Sequence, residues 1–248
     1  MKLIKKILIA IGILVGVIVI LGGFYLYKNK AEISKFHPNE TKEVVAGIYS
    51  IKNNYVNMYL VKNGDSYIAI DAAIEQQNVK QEMDKLKIAP EAVTAVLLTH
   101  TDYDHVGAIK LFKNAKVYIS TAEQQMINGE TVRDMIIKKN KLDSAYEMIE
   151  DNQTIDISGL KVKGILTPGH TPGSMSYIIN DEYLFSGDTL SLKDGKADIF
   201  SELFNMDSDT QAKSITKLAN LSGIKDVFTA HYGYTDKVQD AFGSWKEK

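Results

Sequence analysis

The sequence contains no cysteine. Its absence excludes disulfide bonds, thiolate zinc sites, cysteine nucleophiles and lipid attachment to an N-terminal cysteine. It does not decide the compartment, because a domain without disulfides can work on either side of a membrane.

Acidic residues outnumber basic ones outside the first 30 residues of the chain. The formal net charge is −2. Residues 1–30 hold five lysines and no acidic residue, so the remainder carries a net charge of −7. An acidic surface is a poor electrostatic match for a nucleic-acid backbone. Nucleic acid is therefore an unexpected partner, and we expect a small-molecule substrate.

Charge is also missing from the 21 residues of 7–27, of which 14 are Leu, Ile, Val or Phe. A helix of that length rises about 1.5 Å per residue and spans a hydrocarbon core of roughly 30 Å. The run follows a basic stretch, residues 1–6. A cleaved signal peptide would share these features, but its apolar core is usually about 7–15 residues long and precedes a small-x-small site. Here the run ends in Phe24-Tyr25-Leu26-Tyr27, which favours an uncleaved signal anchor.

The anchor predicts a single-pass protein of the cell membrane. Lys2, Lys5 and Lys6 favour a cytoplasmic N-terminus and an extracytoplasmic body. Gly12 and Gly16 have the GxxxG spacing that lets two membrane helices pack as a homodimer, although glycine is common in such helices. We interpret residues 28–42 as a linker and residues 43–248 as one domain.

The domain opens with a pattern typical of a strand meander. The runs 44–49, 57–61 and 67–71 are rich in β-branched and aromatic residues, and an Asn-Gly turn separates the last two. This turn is a good hairpin signal. Residues 76–87 have helical composition.

Four later apolar runs each end at a histidine or an aspartate. The runs are 93–98, 162–166, 183–185 and 227–230, and each is interpreted as a strand. The side chains that follow them are His100, His170, Asp188 and His231. Polar groups at strand ends can converge on a ligand while the sheet fixes their positions.

The densest group of candidate ligands is Thr99-His100-Thr101-Asp102-Tyr103-Asp104-His105. His100 and Asp102 can share one metal ion, and Asp104 and His105 can turn towards a second. Imidazole and carboxylate together suit zinc, iron or manganese. The alternative for Asp104 is an N-cap of a helix that starts near His105.

These motifs resemble those of the metallo-β-lactamase superfamily. The stretch THTDYDHVG (99–107) is similar to its HxHxDH signature. PGHTPGS (168–174), SGDT (186–189) and TAHYG (229–233) follow in the family's order, and residues 57–71 look like its opening hairpin. The resemblance covers residues 43–235. It implies an α/β (α+β) fold, a four-layer αββα sandwich with two metal ions at one edge.

The resemblance also implies which residues bind the two ions. The first site would hold His100, Asp102 and His170, and the second Asp104, His105 and His231. Asp188 would bridge both. Asp104 and Asp188 are then the expected catalytic residues, with Asp188 positioning a hydroxide that the two ions share.

Asp102 departs from the family's pattern, which has histidine at this position. A carboxylate shifts metal preference from zinc towards iron or manganese. Zinc is still the expected metal, with iron and manganese as alternatives, and a singly occupied site is another alternative. Flavodiiron oxidoreductases of the superfamily carry glutamate here, and competence-channel nuclease domains resemble this HxDxDH form.

The function implied is that of a metallohydrolase in which a metal-bound hydroxide cleaves a small ester, lactone, thioester or amide. Two alternatives stay open: phosphodiester hydrolysis, and a diiron redox or metal-binding protein without hydrolysis.

Residues 121–155 are a candidate helical lid, with Met135, Ile136 and Ile137 suited to an apolar substrate. Arg133, the one arginine of the chain, could meet an anionic group, but we expect it to be solvent-exposed.

Overall fold

The structure is a computed structural model, and it describes residues 2–133 and 139–246. Its chain divides into two compact units, Met1–Phe36 and His37–Lys248. Met135, Ile136 and Ile137 of the predicted lid lie outside the described residues.

The first unit is built on one helix, α1 (Lys2–Ile33). Among the described helices, α1 is the one that is long and apolar enough to cross a membrane, and a signal sequence would pass the same test. The helix extends beyond the predicted 7–27 span at both ends. Residues 28–33 of the predicted linker are therefore helical, and the chain holds no proline or glycine between Gly23 and Pro38 that would end the helix earlier.

The second unit contains a seven-stranded mixed sheet whose strands lie in chain order. Its strands are β1 (Lys42–Val45), β2 (Ile48–Asn53), β3 (Val56–Asn63), β4 (Ser66–Ile70), β5 (Val93–Leu97), β6 (Lys116–Ser120) and β7 (Glu147–Ile149). Strands β1 to β4 pair antiparallel and β4 to β7 pair parallel. The predicted Asn63-Gly64 hairpin joins β3 to β4. The predicted strand 44–49 is wrong, because a turn at Gly47, whose φ is +77°, divides it between β1 and β2.

A six-stranded sheet faces the first, in the order β15-β14-β11-β10-β9-β8. Its strands are β8 (Thr154–Ile157), β9 (Leu160–Leu166), β10 (Met175–Ile179), β11 (Tyr183–Gly187), β14 (Asp226–Thr229) and β15 (Tyr234–Thr235). A separate hairpin pairs β12 (Ser191–Lys193) with β13 (Lys196–Asp198). The predicted strands before His100, His170, Asp188 and His231 correspond to β5, β9, β11 and β14.

Helices cover the sheets. They are α2 (Gln76–Lys85), α3 (Tyr103–Val106), α4 (Gln124–Asn128), α5 (Ser208–Ala219) and α6 (Val238–Ala241). Short 3₁₀ turns lie at Pro90–Ala92, Ile109–Leu111 and Thr121–Glu123. Helix α2 confirms the prediction for residues 76–87 to within two residues.

Two apolar clusters hold these layers together. One lies between the sheets, where Tyr59 and Leu97 of the first sheet pack with Tyr177 and Phe228 of the second. The other lies on the opposite face of the first sheet, where strand side chains pack with Val79 and Met83 of α2. Helix α5 contacts the second sheet, where Lys217 donates from Nζ to the carbonyl of Leu166 in β9 at 3.0 Å. The predicted αββα architecture is confirmed.

A candidate metal centre at one edge of the two sheets

Loops that leave four strands carry the candidate ligands. His100 lies three residues beyond β5, His170 four beyond β9, Asp188 one beyond β11 and His231 two beyond β14. Gly187 makes the turn before Asp188 with φ +53°, and a Cβ there would lie 2.5 Å from Thr99 Oγ1. The two sheets therefore meet closely at this edge, and their loops bring side chains from distant parts of the sequence together.

The loop after β5 turns into the short helix α3. Asp102 is at its N-cap position, with an extended backbone, and its side chain makes no capping hydrogen bond. Asp104 and His105 lie within the helix, so the alternative that Asp104 is an N-cap is wrong. The Asp102 carboxylate faces the site instead of the helix terminus.

The first predicted group of ligands converges. His170 Nε2 lies 3.1 Å from Asp102 Oδ2, and His100 Nε2 lies 3.5 Å from the same oxygen. Both imidazoles also approach Asp188 Oδ2, His170 at 3.4 Å and His100 at 3.9 Å.

The second group converges beside the first. Asp104 Oδ2 lies 3.9 Å from His105 Nε2 and 3.5 Å from His231 Nε2. Asp188 reaches this group too, with Oδ2 at 3.5 Å from His105 Nε2 and Oδ1 at 3.3 Å from His231 Nε2. Asp188 thus lies between the two groups, as a bridging carboxylate would.

These spacings suit metal coordination. Zinc bonds of about 2.0–2.1 Å in a tetrahedron separate two ligand atoms by about 3.4 Å, within the 3.1–3.9 Å range seen here. Within the described part of the chain, the buried atoms His100 Nε2, His105 Nε2 and Asp188 Oδ1 make no hydrogen bond. Buried polar atoms without a partner are costly, and a cation would satisfy all three. The residues present therefore fit a metal centre, and all seven predicted ligands are together.

The other ring nitrogen of each imidazole is held by the protein. Nδ1 contacts Thr99 Oγ1 at 3.0 Å in His100, Asp71 Oδ2 at 2.8 Å in His105, Asn205 Oδ1 at 3.4 Å in His170, and the Tyr55 carbonyl at 2.8 Å in His231. Such contacts fix the tautomer and the ring orientation of metal-binding histidines. All four imidazoles consequently present Nε2 to the centre.

Asp71, at the end of β4, is a functional residue that sequence reasoning missed. Besides His105, it accepts hydrogen bonds from Thr99 through the backbone amide at 2.8 Å and the hydroxyl at 3.0 Å. It is buried and has a φ of +61°, an uncommon conformation for aspartate. An aspartate that directly follows an apolar strand was the available signal, because the same pattern marked Asp188.

Glu123 is a second residue that sequence reasoning missed. Its carboxylate is fully buried and accepts hydrogen bonds from the Thr101 amide at 2.8 Å, the Thr101 hydroxyl at 2.7 Å and the Thr171 hydroxyl at 2.6 Å. Thr101 and Thr171 adjoin His100 and His170, so Glu123 joins the two loops of the first group. Gly173 permits the approach, since a Cβ there would lie 2.1 Å from the Glu123 amide nitrogen. No local sequence pattern marks this role.

Arg133 is mostly buried at the first group, and the expectation of a solvent-exposed role is wrong. Nε donates to Asp102 Oδ1 at 3.0 Å, and Nη2 donates to Asp102 Oδ2. Nη2 also lies 2.9 Å from His170 Nε2, and Nη1 donates to the Phe204 carbonyl at 2.5 Å. Its side chain is 19% exposed. The partly buried Asp102 carboxylate attracts the guanidinium strongly enough to overcome its preference for water.

Burial and charge act against each other in this centre. Burial would raise the pKa of Asp188, but His231 and His105 hold it well below its usual range. Burial would lower the pKa of His105, but Asp188 and Asp71 raise it well above its usual value. Burial would likewise lower the pKa of His231, but Asp188 raises it. Burial and the Arg133 cation together lower the pKa of His170 to about 4. The acidic side chains thus favour the charged imidazoles of the second group, whereas Arg133 disfavours a charged His170 in the first.

Comparison with known proteins identifies the family. The model of the metallo-beta-lactamase superfamily matches residues 51–231. The chain belongs to the metallo-beta-lactamase superfamily. The predicted resemblance is thereby confirmed, and the matched residues include all seven members of the candidate centre.

Two relatives share sequence with part of the chain. A probable polyketide biosynthesis zinc-dependent hydrolase of Bacillus velezensis is 31% identical over 56% of this chain and 56% of its own length. A hydroxyacylglutathione hydrolase of Serratia proteamaculans is 29% identical over 58% of this chain and 49% of its own length. The chain spans about half the length of these relatives.

Solved superfamily structures share the fold at low sequence identity. A B3 metallo-beta-lactamase with an active-site glutamic acid has a TM-score of 0.65 and 18% identity, covering 85% of this chain and 87% of its own. A metallo-beta-lactamase family protein from Thermus thermophilus has a TM-score of 0.63 and 18% identity, covering 81% of this chain and 78% of its own.

Proposed function

We propose that this protein is a membrane-anchored hydrolase that uses two divalent metal ions to cleave a small ester, lactone, thioester or amide. The observation that carries the proposal is the convergence of four imidazole Nε2 atoms on a buried carboxylate, with buried atoms that lack hydrogen bonds. Relatives named as hydrolases, one of them zinc-dependent, favour hydrolysis and favour zinc.

The residues that would hold the ions follow from the two groups. His100, Asp102 and His170 would hold one ion, Asp104, His105 and His231 the other, and Asp188 both. When bound, the ions would supply a water molecule of lowered pKa and would polarise the oxygen of the substrate's carbonyl group. The chain offers no thiol, so a cysteine nucleophile is excluded.

The protein's own groups would orient the reactants and move protons. Asp188 lies against both groups, with Oδ2 near His170 and His105 and Oδ1 near His231, and would position the attacking water. The Asp104 side chain is 21% exposed, so it can pass a proton between the centre and solvent. Asp71 and Glu123 would hold the imidazoles and the loops in position during the reaction. Phe200 packs edge-on to His170 at 5.2 Å and limits water access from that side.

Metal analysis and a substrate panel test the proposal on the full chain in detergent micelles. We expect two equivalents of zinc per chain and turnover of chromogenic lactone or thioester substrates. Turnover of phosphodiesters alone would replace the ester class with the nuclease-type alternative. Two iron ions without turnover would favour the redox alternative.

The location of the domain is part of the proposal. We propose that α1 is an uncleaved signal anchor with a cytoplasmic N-terminus, so that the metal centre lies outside the cytoplasm, and that α1 pairs two copies through Gly12 and Gly16. Reporter fusions after residue 248 test the orientation. Activity from a fused reporter of the type that functions only in the cytoplasm would contradict this orientation.

A further inference from the structure

The Arg133 guanidinium is placed where the first group would bind its ion. Its nitrogens engage both oxygens of Asp102 and Nε2 of His170. These atoms belong to two of the three side chains that form this group. A guanidinium that spans both oxygens of a carboxylate is a strong, directional ion pair.

A metal ion and the guanidinium cannot occupy this position together. An ion bound to His170 would lie about 2.0–2.1 Å from Nε2, whereas Arg133 Nη2 already lies 2.9 Å from that atom. The lone pair of Nε2 is used either to accept from Arg133 or to bind metal. Two cations at this distance would also repel each other in a buried site.

The second group is free of this conflict. The contacts of Arg133 in the described structure involve Asp102, His170 and Phe204, and none involves Asp104, His105 or His231. Asn140 supports the pair from the other side, because its Nδ2 donates to Asp102 Oδ1 at 3.0 Å. The two groups therefore differ in what a metal ion must displace, because an arginine side chain occupies the first.

We propose that Arg133 is an internal competitor for the first metal site. The second site fills first, and the first site binds its ion only when the guanidinium leaves Asp102 and His170. This inference rests on the proposed function, since it takes both groups as metal sites. The form of the protein with two bound ions therefore depends on the metal supply. When the second ion binds, Arg133 is released beside the centre, where its cation can pair with an anionic group of the substrate.

Since Arg133 is the one arginine in the chain, a single labelled resonance tests the order of binding. The full chain, labelled with ¹⁵N-arginine and held in detergent micelles, gives one Nε signal. During a zinc titration we expect this signal to stay in place through the first equivalent and to shift with the second. A shift that is complete after one equivalent, or no shift after two, would overturn the proposal.

Zinc affinities measured against a chromophoric chelator provide an independent test. In Arg133→Gln we expect the weaker of the two dissociation constants to fall at least tenfold and the tighter one to stay the same. Lys141→Gln is the matched control, because it removes the same charge from an 80% exposed side chain that pairs with Asp143. If the dissociation constant of the weaker site is unchanged or larger in Arg133→Gln, then Arg133 only supports the loops.

The outcomes separate this inference from the proposed function. Two bound zinc ions with a stationary arginine signal would overturn the inference alone. Stepwise binding without turnover of any substrate would overturn the substrate class alone. A chain that binds no zinc would overturn both.

Discussion

Asp102 and Arg133 form a pair that the family motif does not suggest. A carboxylate at position 102 attracts a guanidinium, whereas the family's histidine would not. Burial would raise the pKa of Asp102, yet His100, His170 and Arg133 hold it well below its usual range. The carboxylate is therefore ionised over the whole working pH range, whether or not metal is bound.

Restoring histidine at position 102 should strengthen zinc binding at the first site. Asp102→His removes the partner of Arg133 and supplies an imidazole, so we expect the weaker dissociation constant to fall about tenfold or more, which is roughly 1.4 kcal/mol. Chelator competition measures it. Asp102→Asn keeps the shape but offers a poorer ligand, so it should not tighten binding. Equal affinity in Asp102→His and the wild type would show that this side chain is not a ligand.

Asp188 is the residue whose loss should affect both sites at once. Asp188→Asn retains the volume but removes the anion that both groups share, so we expect zinc stoichiometry to fall below one and turnover to vanish. Elemental analysis and the substrate panel measure this. Asp198→Asn, at a surface ion pair with Lys193, is the matched control and should leave both unchanged. Full turnover in Asp188→Asn would contradict the mechanism.

The two sites should also differ in their dependence on pH. Zinc binds neutral imidazole, and the pKa values of His105 and His231 are raised by Asp188 despite burial. A raised pKa means that protons compete with zinc, so affinity at the second site should increase as pH rises from about 6 to about 8. His170, with a pKa of about 4, is already neutral in this range.

Calorimetry in buffers of different ionisation enthalpy checks the pH prediction. We expect proton release with the tighter zinc equivalent and less with the weaker one. Proton release confined to the weaker equivalent would contradict the assignment of the tighter site to His105 and His231.

At the scale of elements, buried hydrogen bonds made by residues other than the candidate ligands hold the loops in place. Glu123 shows this best, because burial raises its pKa while Thr171 and Thr101 donate to its charged form. The carboxylate joins the loop after β5 to the loop after β9. It thereby links the segments that carry His100 and His170.

Glu123→Ala should loosen this connection. The variant leaves the buried Thr101 amide and two hydroxyls without their acceptor, and one unsatisfied buried group costs about 1–3 kcal/mol. We expect the free energy of unfolding to fall by about 2–4 kcal/mol and first-site zinc affinity to fall with it, measured by chemical denaturation and chelator competition. Glu150→Ala, which removes one exposed bond to Thr121, is the control. A stable variant with normal zinc affinity would contradict the role of Glu123.

The strands that deliver ligands were predictable because short apolar runs end at a histidine or an aspartate. The turn at Gly47 was not, since one glycine within a β-branched run is also compatible with a continuous strand. Asp71, Glu123 and Arg133 act through contacts between segments distant in sequence. For Asp71 the aspartate after an apolar strand was a local signal, but no local pattern marks Glu123, and for Arg133 the sequence favoured the wrong environment.

At the scale of the whole molecule, the chain combines an apolar helix with an acidic domain. Lys193 and Lys196 follow the Asp188 loop but face other partners: Lys193 pairs with Asp198, and Lys196 donates to the Asp240 carbonyl. Neither contributes a cation to the centre in the described structure. Among the described residues, Arg133 is a basic side chain that does contact the centre.

The signal-anchor assignment predicts that the apolar helix stays attached and holds the protein in the membrane. An arginine near the middle of a membrane helix costs about 2.5–3.5 kcal/mol, whereas each Leu, Ile or Val contributes only a few tenths. Replacing both Val15 and Ile18 by arginine should therefore abolish insertion and release the protein from carbonate-washed membranes.

The double alanine variant at Val15 and Ile18 is the matched control and should remain in the membrane fraction, because it adds no charge. Intact mass of the wild-type protein from membranes should equal that of the whole chain, since residues 24–27 are bulky aromatic and aliphatic side chains that signal peptidases do not accept. A mature protein that begins after residue 27 would show that α1 is a cleaved signal. The metal centre would then belong to a released domain, although its chemistry would be unaffected.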